Sequence, residues 1–391
     1  MSRPSRRHIL ALASGTVLGG LAGCFGDSDD GLYDSDETTG DADTGGDGAS
    51  ATRETAVDGP DESALEETDI PLADEQLPLE YPPETLREET ISGGVPKDGI
   101  PSIDDPTFEG VDDVGNRLDD GDPVFGLVID GDVRAYPQSV LVYHEIVNDD
   151  VGDESVAITY CPLTGTAMGF ARNGVEFGVS GTLVNSNLVM YDREGDSRWP
   201  QILATAIDGP LEGASLEEIP VHWSTWGRWK AAYPETRVLT TDTGYARDYN
   251  SDPYGSYNPA DGYYWEDSPT MFTPLSTDER LPNKRMVLGA RPVDGPLAFD
   301  LERLADEGVL SSASVTDREE TYLAIYDDRI GAGHLYRSDG DTYEYDGDTG
   351  TVVTADGTTY EPDELPLESV YAFDAMWFAW AGFYPSTALI D

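Results

Sequence analysis

The sequence predicts an α+β body dominated by antiparallel β-sheet, arranged as two related lobes with short helices and a long aromatic loop. Residues 124–136 contain two extended runs separated by Asp130-Gly131, a dipeptide that favours a tight hairpin turn. Residues 156–160 form a β-rich apolar run, and residues 174–180 alternate with a period of two. Helical patterns are sparser and confined to three short segments, residues 137–144, 223–233 and 301–307.

An internal repeat predicts the two lobes. Residues 124–170 can be laid over residues 287–336, and three positions recur at a constant offset of 166 residues (326 − 160). The recurring pairs are Tyr160 with Tyr326, Gly165 with Gly331, and Phe170 with Tyr336. Because repeats usually mark repeated supersecondary units, we expect lobe one at about 120–240 and lobe two at about 284–391. The alternative is a chance similarity between β-hairpins.

The two copies differ at the residues that carry chemistry. Cys161 of the first copy corresponds to Asp327 of the second. The second-copy segment that matches residues 143–145 contains no histidine. A site that uses a thiol or an imidazole at these positions therefore belongs to the first copy alone.

Residues 1–24 indicate a twin-arginine signal peptide that ends in a lipobox. Arg6 and Arg7 precede an apolar run at 9–21, which is shorter than the roughly 20 residues a helix needs to cross a bilayer. Leu-Ala-Gly then precedes Cys24, so cleavage would free this cysteine for lipidation. We expect the membrane as a partner, reached through lipidated Cys24, and a location on the extracellular face of the cell membrane. The alternative is an uncleaved apolar N-terminus with an incidental cysteine.

The composition is strongly acidic. The 77 Asp and Glu residues outnumber the 23 Lys and Arg residues, which gives a formal net charge of -54 at pH 7. In dilute buffer this self-repulsion weakens the compact state, whereas molar salt shortens the screening length to about 3 Å. We therefore expect a halophile, in particular a haloarchaeon. The same charge argues against a nucleic-acid partner, because phosphate binding needs a basic stripe and the sequence has none.

The chain after Cys24 divides into an acidic tether and a folded body. Residues 25–76 are rich in Asp, Gly, Thr and Glu, with almost no aromatic side chains. Such a segment cannot bury enough apolar surface to offset the entropy of ordering, so we expect a disordered tether. Residues 77–391 carry the aromatic and branched side chains and suffice for one large or two medium domains.

Cys161 and His144 are the candidate catalytic residues. Once Cys24 is lipidated, Cys161 is the only free thiol of the mature chain and has no partner for an intramolecular disulfide. It begins a turn with Pro and Gly, residues 161–167, whose exposed amides we expect to lower the thiol pKa. His144 lies 17 residues upstream (161 − 144), and a Cys–His pair serves as a thiolate nucleophile or as half of a soft metal site. The alternative is a buried cysteine and a structural histidine.

Polar residues after the predicted strands are candidates for ligand binding. Asn185, Ser186 and Asn187 belong to a polar, Gly-rich turn region suited to a close backbone approach or to hydrogen bonds with a ligand. Asp192 and Arg193 offer charge-assisted contacts beside the indole of Trp199. The alternatives are ordinary loop hydrogen bonds and a strand end bracketed by charges. The candidates are Asn185, Ser186, Asn187, Asp192, Arg193 and Trp199.

A long aromatic loop follows, rich in Gly, Pro and Asn. Six tyrosines and Trp265 crowd residues 245–265, and Tyr254 is the candidate binding residue among them. Long loops without secondary structure are uncommon in compact domains and tend to be functional. The loop could cover a pocket or stack on sugar rings. Alternatively, it locks the two lobes together as a satellite core.

Several motifs of the body resemble one family. They are YCPLTGTA at 160–167, FGVSG at 177–181, NSNLVMYDR at 185–193, WPQ at 199–201 and DYNSDPY at 248–254. In this order they resemble the domain-of-unknown-function family DUF3179, over about residues 77–391. The resemblance implies an exported or membrane-associated bacterial or archaeal protein, and it carries no catalytic assignment. Some relatives have Cys-Pro-Leu-Cys where this chain has Thr164, which argues against a dithiol redox role.

Two functional hypotheses follow. In the first, Cys161 and His144 perform thiol-based or metal-assisted chemistry on a small molecule, with the aromatic loop as a lid. A copper site would also need His222 and a methionine, Met168 or Met190, to converge on this pair. In the second hypothesis the body is a non-catalytic surface module whose aromatic loop binds a glycan or a partner protein. The sequence identifies neither a cofactor nor a particular metal.

Overall fold

The structure is a computed structural model that describes residues 60–316 and 318–391. The described residues belong to one compact unit. No helix within these ranges is long and apolar enough to cross a bilayer. The predicted signal peptide, Cys24 and residues 25–59 of the predicted tether lie outside the described residues. The α-helices are α1 (Glu62–Glu67), α2 (Pro83–Glu88), α3 (Gln138–Leu141), α4 (Trp226–Ala232), α5 (Leu301–Glu307) and α6 (Trp377–Phe383).

Short β-strands make up most of the regular structure. The strands before the aromatic loop are β1 (Ile91–Ser92), β2 (Phe108–Gly110), β3 (Pro123–Ile129), β4 (Asp132–Pro137), β5 (Ile146–Val151), β6 (Glu154–Cys161), β7 (Thr166–Ala171), β8 (Phe177–Val184), β9 (Asn187–Asp192), β10 (Arg198–Pro200), β11 (Glu218–Ile219), β12 (His222–Thr225) and β13 (Arg237–Leu239). The loop contains β14 (Gly255–Tyr257) and β15 (Ala260–Gly262). The remaining strands are β16 (Met286–Ala290), β17 (Leu297–Asp300), β18 (Val309–Ser311), β19 (Tyr322–Asp327), β20 (Ala332–Arg337), β21 (Tyr343–Asp346), β22 (Thr351–Thr354), β23 (Thr359–Tyr360), β24 (Glu368–Val370), β25 (Phe373–Met376) and β26 (Ala388–Ile390).

The sheets are mainly antiparallel, as the sequence predicts. Among the paired strands of the described residues, only β4 with β13 and β17 with β26 run parallel. The predicted hairpin is confirmed: β3 and β4 pair in antiparallel register, with Ile129 opposite Asp132. Asp130 and Gly131 have φ angles of 49° and 82°. Positive φ at both central residues is what a type I′ turn requires, which is why the Asp-Gly dipeptide suits this position.

Two parts of the chain, here called the first half (β3 to β13) and the second half (β16 to β26), have the same strand order. One sheet has the order β12-β3-β4-β13 in the first half, continued by β2, and β25-β16-β17-β26 in the second. The other sheet has the order β11-β7-β6-β5 in the first half and β24-β20-β19-β18 in the second. The single parallel pair of each half occurs at the corresponding place. Each half also carries an inserted sheet, β8-β9-β10 in the first and β21-β22-β23 in the second.

Corresponding helices pack on corresponding glycines in the two halves. A Cβ atom on Gly126 of β3 would lie 2.2 Å from the indole of Trp229 in α4. On Gly289 of β16 it would lie 2.4 Å from the indole of Trp380 in α6. Each indole N–H donates to a threonine hydroxyl seven residues further along the chain, at 3.0 and 2.9 Å. Because no larger residue fits beneath the indole, each glycine is required by the close approach of its helix.

The largest core cluster contains residues of both halves. Trp199, Phe170 and Cys161 of the first half lie in the same buried cluster as Trp377 and Trp380 of the second. Backbone hydrogen bonds cross between the halves as well, for example from the N–H of Met376 to the carbonyl of Thr164, at 2.9 Å. The two halves therefore share one continuous core.

The ordered body begins earlier than the predicted boundary at residue 77. Asp61 caps α1 by accepting a hydrogen bond from the N–H of Ser63, at 2.9 Å. Ile70 is buried, and Leu72 forms an isolated bridge with Leu216. These apolar side chains, together with hydrogen bonds from Thr68 and Asp69 to Glu194, hold the end of the acidic segment on the body.

The predicted helices correspond to α3, α4 and α5, and only α5 keeps its predicted bounds. Of residues 137–144, only Gln138–Leu141 form α3. Residues 223–225, predicted as helical, belong to β12, so α4 begins at Trp226. Gly174, the first residue of the predicted run 174–180, lies in a turn, and β8 begins at Phe177. The sequence pattern did not predict α6, because all seven of its residues are buried and it has no polar face to reveal a helical period.

Candidate functional site

Cys161 ends β6 inside the core. Its side chain is 1% exposed, and its sulfur lies 3.7 Å from the carbonyl oxygen of Ser186. Burial, followed by the nearby charge of Glu145, raises the pKa of the thiol to about 11. This direction is opposite to the lowering expected from the turn amides. Desolvation disfavours the thiolate more than the surrounding hydrogen bonds favour it, so the thiol is protonated at neutral pH.

His144 does not form the predicted pair with Cys161. Its Nδ1 lies 2.8 Å from the carbonyl oxygen of Pro101, and its Nε2 lies 2.7 Å from the hydroxyl of Tyr249. Both ring nitrogens therefore have partners other than the thiol. The side chain is fully buried, and this burial lowers the pKa of the imidazole. His144 fastens the start of β5 to the aromatic loop and to residue 101, which is a structural role.

Glu145, the neighbour of His144, is the ionisable residue beside the thiol. Its side chain is 7% exposed, and burial alone raises its pKa to about 8. Its charge also raises the pKa values of Cys161 and of Tyr254, for each of which burial is the larger cause. No hydrogen bond from another described residue stabilises the carboxylate. A buried carboxyl without a partner is costly, and such groups occur preferentially at functional sites.

Glu145 has a backbone conformation that L-residues disfavour, with a φ angle of 57°. Its N–H donates to the carbonyl four residues earlier at 2.7 Å, and its carbonyl accepts the N–H of Tyr160 at 2.8 Å. Gly308 of the second half has a φ angle of 76° and makes the same pair of hydrogen bonds, both at 2.8 Å, the second with Tyr326. Glycine adopts this conformation without strain, whereas glutamate costs about 1 kcal/mol or more.

The hairpin turn between β8 and β9 completes the site. Asn185 and Ser186 have φ angles of 51° and 64°, and both are buried. The hydroxyl of Ser186 has no hydrogen-bond partner among the described residues. We define the thiol cluster as Glu145, Cys161, Ser186 and Tyr254. It combines a carboxyl, a thiol and two hydroxyl groups, and two of its residues, Glu145 and Ser186, have positive φ angles.

A cavity borders the Ser186 turn, and Cys161 is not among its lining residues. Its volume is about 500 Å³, and its lining includes Tyr81, Glu89, Asn185, Ser186 and Met271. Because Ser186 both lines this cavity and contacts the thiol through its carbonyl, a single residue separates the sulfur from a space large enough for a small molecule.

The two asparagines of the turn have hydrogen-bond partners within the fold. The Asn185 amide donates to the carbonyl of Ala379 in α6 and accepts the N–H of Leu275, at 2.8 and 2.9 Å. The Asn187 amide donates to Thr164 and to Gln201, at 3.1 and 3.0 Å. These contacts brace the turn against both halves, and they leave little capacity for hydrogen bonds to a ligand.

Asp192, Arg193 and Trp199 also serve the fold. The buried carboxylate of Asp192 accepts hydrogen bonds from three backbone N–H groups of its own turn, residues 195–197, and from the indole N–H of Trp199 at 2.9 Å. Arg193 bridges Asp104 and Glu176, and these partners raise its pKa despite partial burial. The structure therefore does not bring these three residues into the thiol cluster.

The residues suggested for a copper site lie apart. His222 packs beside Trp229 and His334, at ring-centroid distances of 6.4 and 5.4 Å, whereas His144 packs beside Tyr245 and Tyr249. Within residues 60–316 and 318–391, no group of three or more His, Cys, Asp and Glu side chains is placed to hold a metal ion. The proposed convergence of both histidines with Cys161 is therefore wrong.

The aromatic loop packs mainly against the first half. Tyr263 and Tyr264 are buried, and the Tyr263 hydroxyl donates to the carbonyl of Leu163 at 2.7 Å. The ring of Tyr264 stacks on Tyr257 with centroids 3.8 Å apart. Trp265 differs, because 51% of it is exposed. Most of the loop thus extends the core, and its exposed aromatic surface is limited.

A family model described as "Protein of unknown function (DUF3179)" matches residues 97–387. The chain belongs to this family. The match spans both halves, the thiol cluster and the aromatic loop of this DUF3179 member. Comparisons with curated proteins and with solved structures gave no match. Since the description of the family includes no activity, a function for this member must be argued from its geometry.

Proposed function

We propose that this DUF3179 protein is an exported, lipid-anchored surface protein of a haloarchaeon, and that its body performs thiol chemistry on a small molecule. The signal and lipobox features of residues 1–24 support the export and the anchor. The net charge of -54 supports adaptation to molar salt. The anchor would place the body on the extracellular face of the membrane.

We interpret the two halves as lobes that arose by duplication. The shared strand order, the corresponding parallel pairs and the matched glycine–tryptophan contacts support this interpretation. Chance similarity of hairpins would account for one matched turn but not for eight corresponding strands with matched helices. In this view lobe two kept the fold while lobe one kept the chemistry, since Asp327 and Gly308 stand where lobe one has Cys161 and Glu145.

The observation that carries the proposed activity is the strained, unpartnered Glu145 beside Cys161. Lobe two shows that the fold accepts glycine at this backbone position, so glutamate is not needed for folding. Strain and a buried carboxyl without a partner both lower stability. A residue that has both of these costs, and that lies beside the single thiol of the body, fits a catalytic group better than a structural one.

The proposed chemistry pairs a nucleophile with a proton acceptor. The Cys161 sulfur adds to the electrophilic carbon of a substrate C=O or activated C=C double bond, while the thiol proton passes to the Glu145 carboxylate. The π electron pair moves to the other atom of that double bond, which then takes the proton from Glu145 and leaves the carboxylate ionised again. The carboxyl has a pKa of about 8, so it accepts a proton only in the fraction of molecules in which it is ionised. Reactivity therefore rises with pH through about 8. The substrate would occupy the cavity behind Ser186, and access to the sulfur needs a displacement of that turn.

Alkylation of Cys161 in the folded protein tests this activity. Intact-mass measurements would follow the rate of modification by iodoacetamide between pH 6 and pH 9 in molar salt. We expect a rise centred near pH 8 in the wild type and a loss of that rise in Glu145→Gln. Glu154→Gln, an exposed position at the start of β6, is the matched control and should behave as the wild type. A thiol that reacts only after denaturation would rule out the proposed chemistry.

The alternative is a non-catalytic module that binds a glycan or a partner protein through the aromatic loop. The exposed side chains of Tyr245, Trp265 and Met271 favour it. Binding on a glycan array or in a pull-down that Trp265→Ala abolishes and Cys161→Ala leaves unchanged would support this alternative. Binding that Cys161→Ala abolishes and Trp265→Ala leaves unchanged would support the thiol site.

A further inference from the structure

A second cavity lies between the two halves, away from the thiol cluster. Its volume is about 290 Å³. One wall comes from the first half, with residues of β11, of the start of β12 and of the segment between them. The other wall comes from the second half, with residues of β16, β20, β24 and β25. A molecule bound in this cavity would touch both halves at once.

The charged side chains that line this cavity are acidic. Glu218 and Asp374 line it, and no lysine or arginine is among its described lining residues. Glu218 already has a partner, because its carboxylate lies 2.5 Å from the guanidinium of Arg291, and both side chains are nearly inaccessible. Asp374 has no such partner, and burial alone raises its pKa to about 7. The cavity therefore offers one uncompensated carboxyl and favours a cation over an anion.

Three further polar groups of this cavity have no hydrogen-bond partner among the described residues. The Nε2 of His334 is buried without one, at 3.7 Å from the carboxylate of Asp327, and so is the hydroxyl of Tyr371. His222 has no side-chain hydrogen bond either, and burial together with His334 lowers its pKa to about 4, so its imidazole is neutral. Native structures pair most buried polar groups, so unpaired groups that converge on one cavity indicate a bound molecule.

The remaining walls are apolar and aromatic. Trp223, Leu288, Val370 and Phe373 line the cavity beside these polar groups. Aromatic faces attract cations and pack well against a hydrocarbon chain or ring. A ligand with a positively charged end and an apolar body satisfies both kinds of wall.

The geometry points to a binding site for a small organic ammonium ion in the cavity between the two halves, with Asp374 as its counter-ion. The ammonium group donates to the Asp374 carboxylate. The apolar body of the ligand packs between Trp223 and Phe373. This site is independent of the proposed thiol chemistry, since it shares no residue with the thiol cluster.

Calorimetric titration of the full chain in molar potassium chloride tests this site. The probes are benzylammonium, its neutral counterpart benzyl alcohol and the anion benzoate. We expect saturable binding of benzylammonium with a dissociation constant of about 1 mM or tighter, and none for the other two. Asp374→Asn should weaken binding at least about tenfold, whereas Asp306→Asn, an exposed position on α5, should leave it unchanged. Binding at neutral pH should also release protons, because the ligand favours the ionised carboxyl.

A second measurement does not depend on a variant that must fold. Nitrogen NMR signals of the His222 and His334 side chains in the wild type should shift as benzylammonium is added. Equal binding of benzyl alcohol, unchanged affinity in a folded Asp374→Asn, or no shift of either imidazole would overturn the assignment. Saturable binding of zinc ions that His222→Phe abolishes, without any response to benzylammonium, would overturn it as well and assign the cavity to a metal.

Discussion

Glu145 and Gly308 occupy the same backbone position in the two halves of the molecule. Each residue has a positive φ angle, closes a helical turn and accepts the N–H of a strand tyrosine, Tyr160 or Tyr326. Glycine meets this requirement with no side chain to strain. Glutamate meets it with a largely buried carboxyl, and several measurable properties of the protein follow from that difference.

The stability of the protein should fall as pH rises through the range in which the Glu145 carboxyl is protonated in the folded state and ionised in the unfolded state. The folded pKa of about 8 lies above the ordinary value of 4.5, so the folded state keeps a proton that the unfolded state has lost. Stability is therefore lost between about pH 4.5 and 8, at roughly 1.4 kcal/mol per unit of pKa difference. Urea unfolding at pH 5 and pH 8.5 in molar salt should show a smaller loss in Glu145→Gln than in wild type. Equal losses in the two proteins would refute the assignment.

The glycines beneath the two indoles should not tolerate a methyl group. Gly126→Ala and Gly289→Ala place a Cβ atom 2.2 and 2.4 Å from an aromatic ring, so the helix must shift. We expect each substitution to reduce the free energy of unfolding by about 2 kcal/mol or more. Chemical denaturation measures this loss. Gly347→Ala is the control, since it meets no atom within 4 Å, and its stability should match the wild type.

Asp192 should behave as a structural residue. Its carboxylate accepts hydrogen bonds from three backbone N–H groups and from the Trp199 indole, and an amide in its place directs its own N–H groups at these donors. We expect Asp192→Asn to cost about 2 kcal/mol in stability. In the fraction that stays folded, alkylation of Cys161 should keep its wild-type dependence on pH. Full stability together with altered alkylation would instead place Asp192 in the site.

Salt should stabilise this protein strongly. The net charge of -54 implies repulsion between the acidic side chains. Molar salt shortens the screening length of this repulsion to about 3 Å, whereas dilute buffer leaves it much longer. We therefore expect the midpoint of thermal unfolding to rise steadily between about 0.1 M and 3 M potassium chloride. Differential scanning calorimetry measures it. A midpoint independent of salt would contradict the inferred adaptation to a saline habitat.

The sequence was informative wherever a local pattern determines structure. Asp130-Gly131 marked a turn because few dipeptides accept positive φ at both positions. α5 was found with its bounds because Leu301 and Leu304 face the core while acidic residues face outward. α6 lacks any such contrast. Its burial depends on contacts with distant strands, which no local pattern contains.

The candidate site was harder to predict because the tertiary fold brings together residues that lie far apart in the sequence. Cys161, Ser186 and Tyr254 were identified from the sequence, and the structure brings them together. The sequence favours His144 over Glu145 as a candidate, because glutamate is usually exposed and nothing local indicates its burial. The pairing of Glu145 with Gly308 comes from the matched hydrogen bonds of the two halves, because the constant offset of the sequence repeat places Ser311 opposite Glu145. A large charged residue at a position that glycine suits is an anomaly that such a comparison can reveal.

The single core shared by the two halves also limits how this molecule can come apart. Removing one half would expose the buried tryptophans of the other half, and with them a large apolar surface, to solvent. Unfolding is therefore expected as one cooperative event, in which neither half persists without the other.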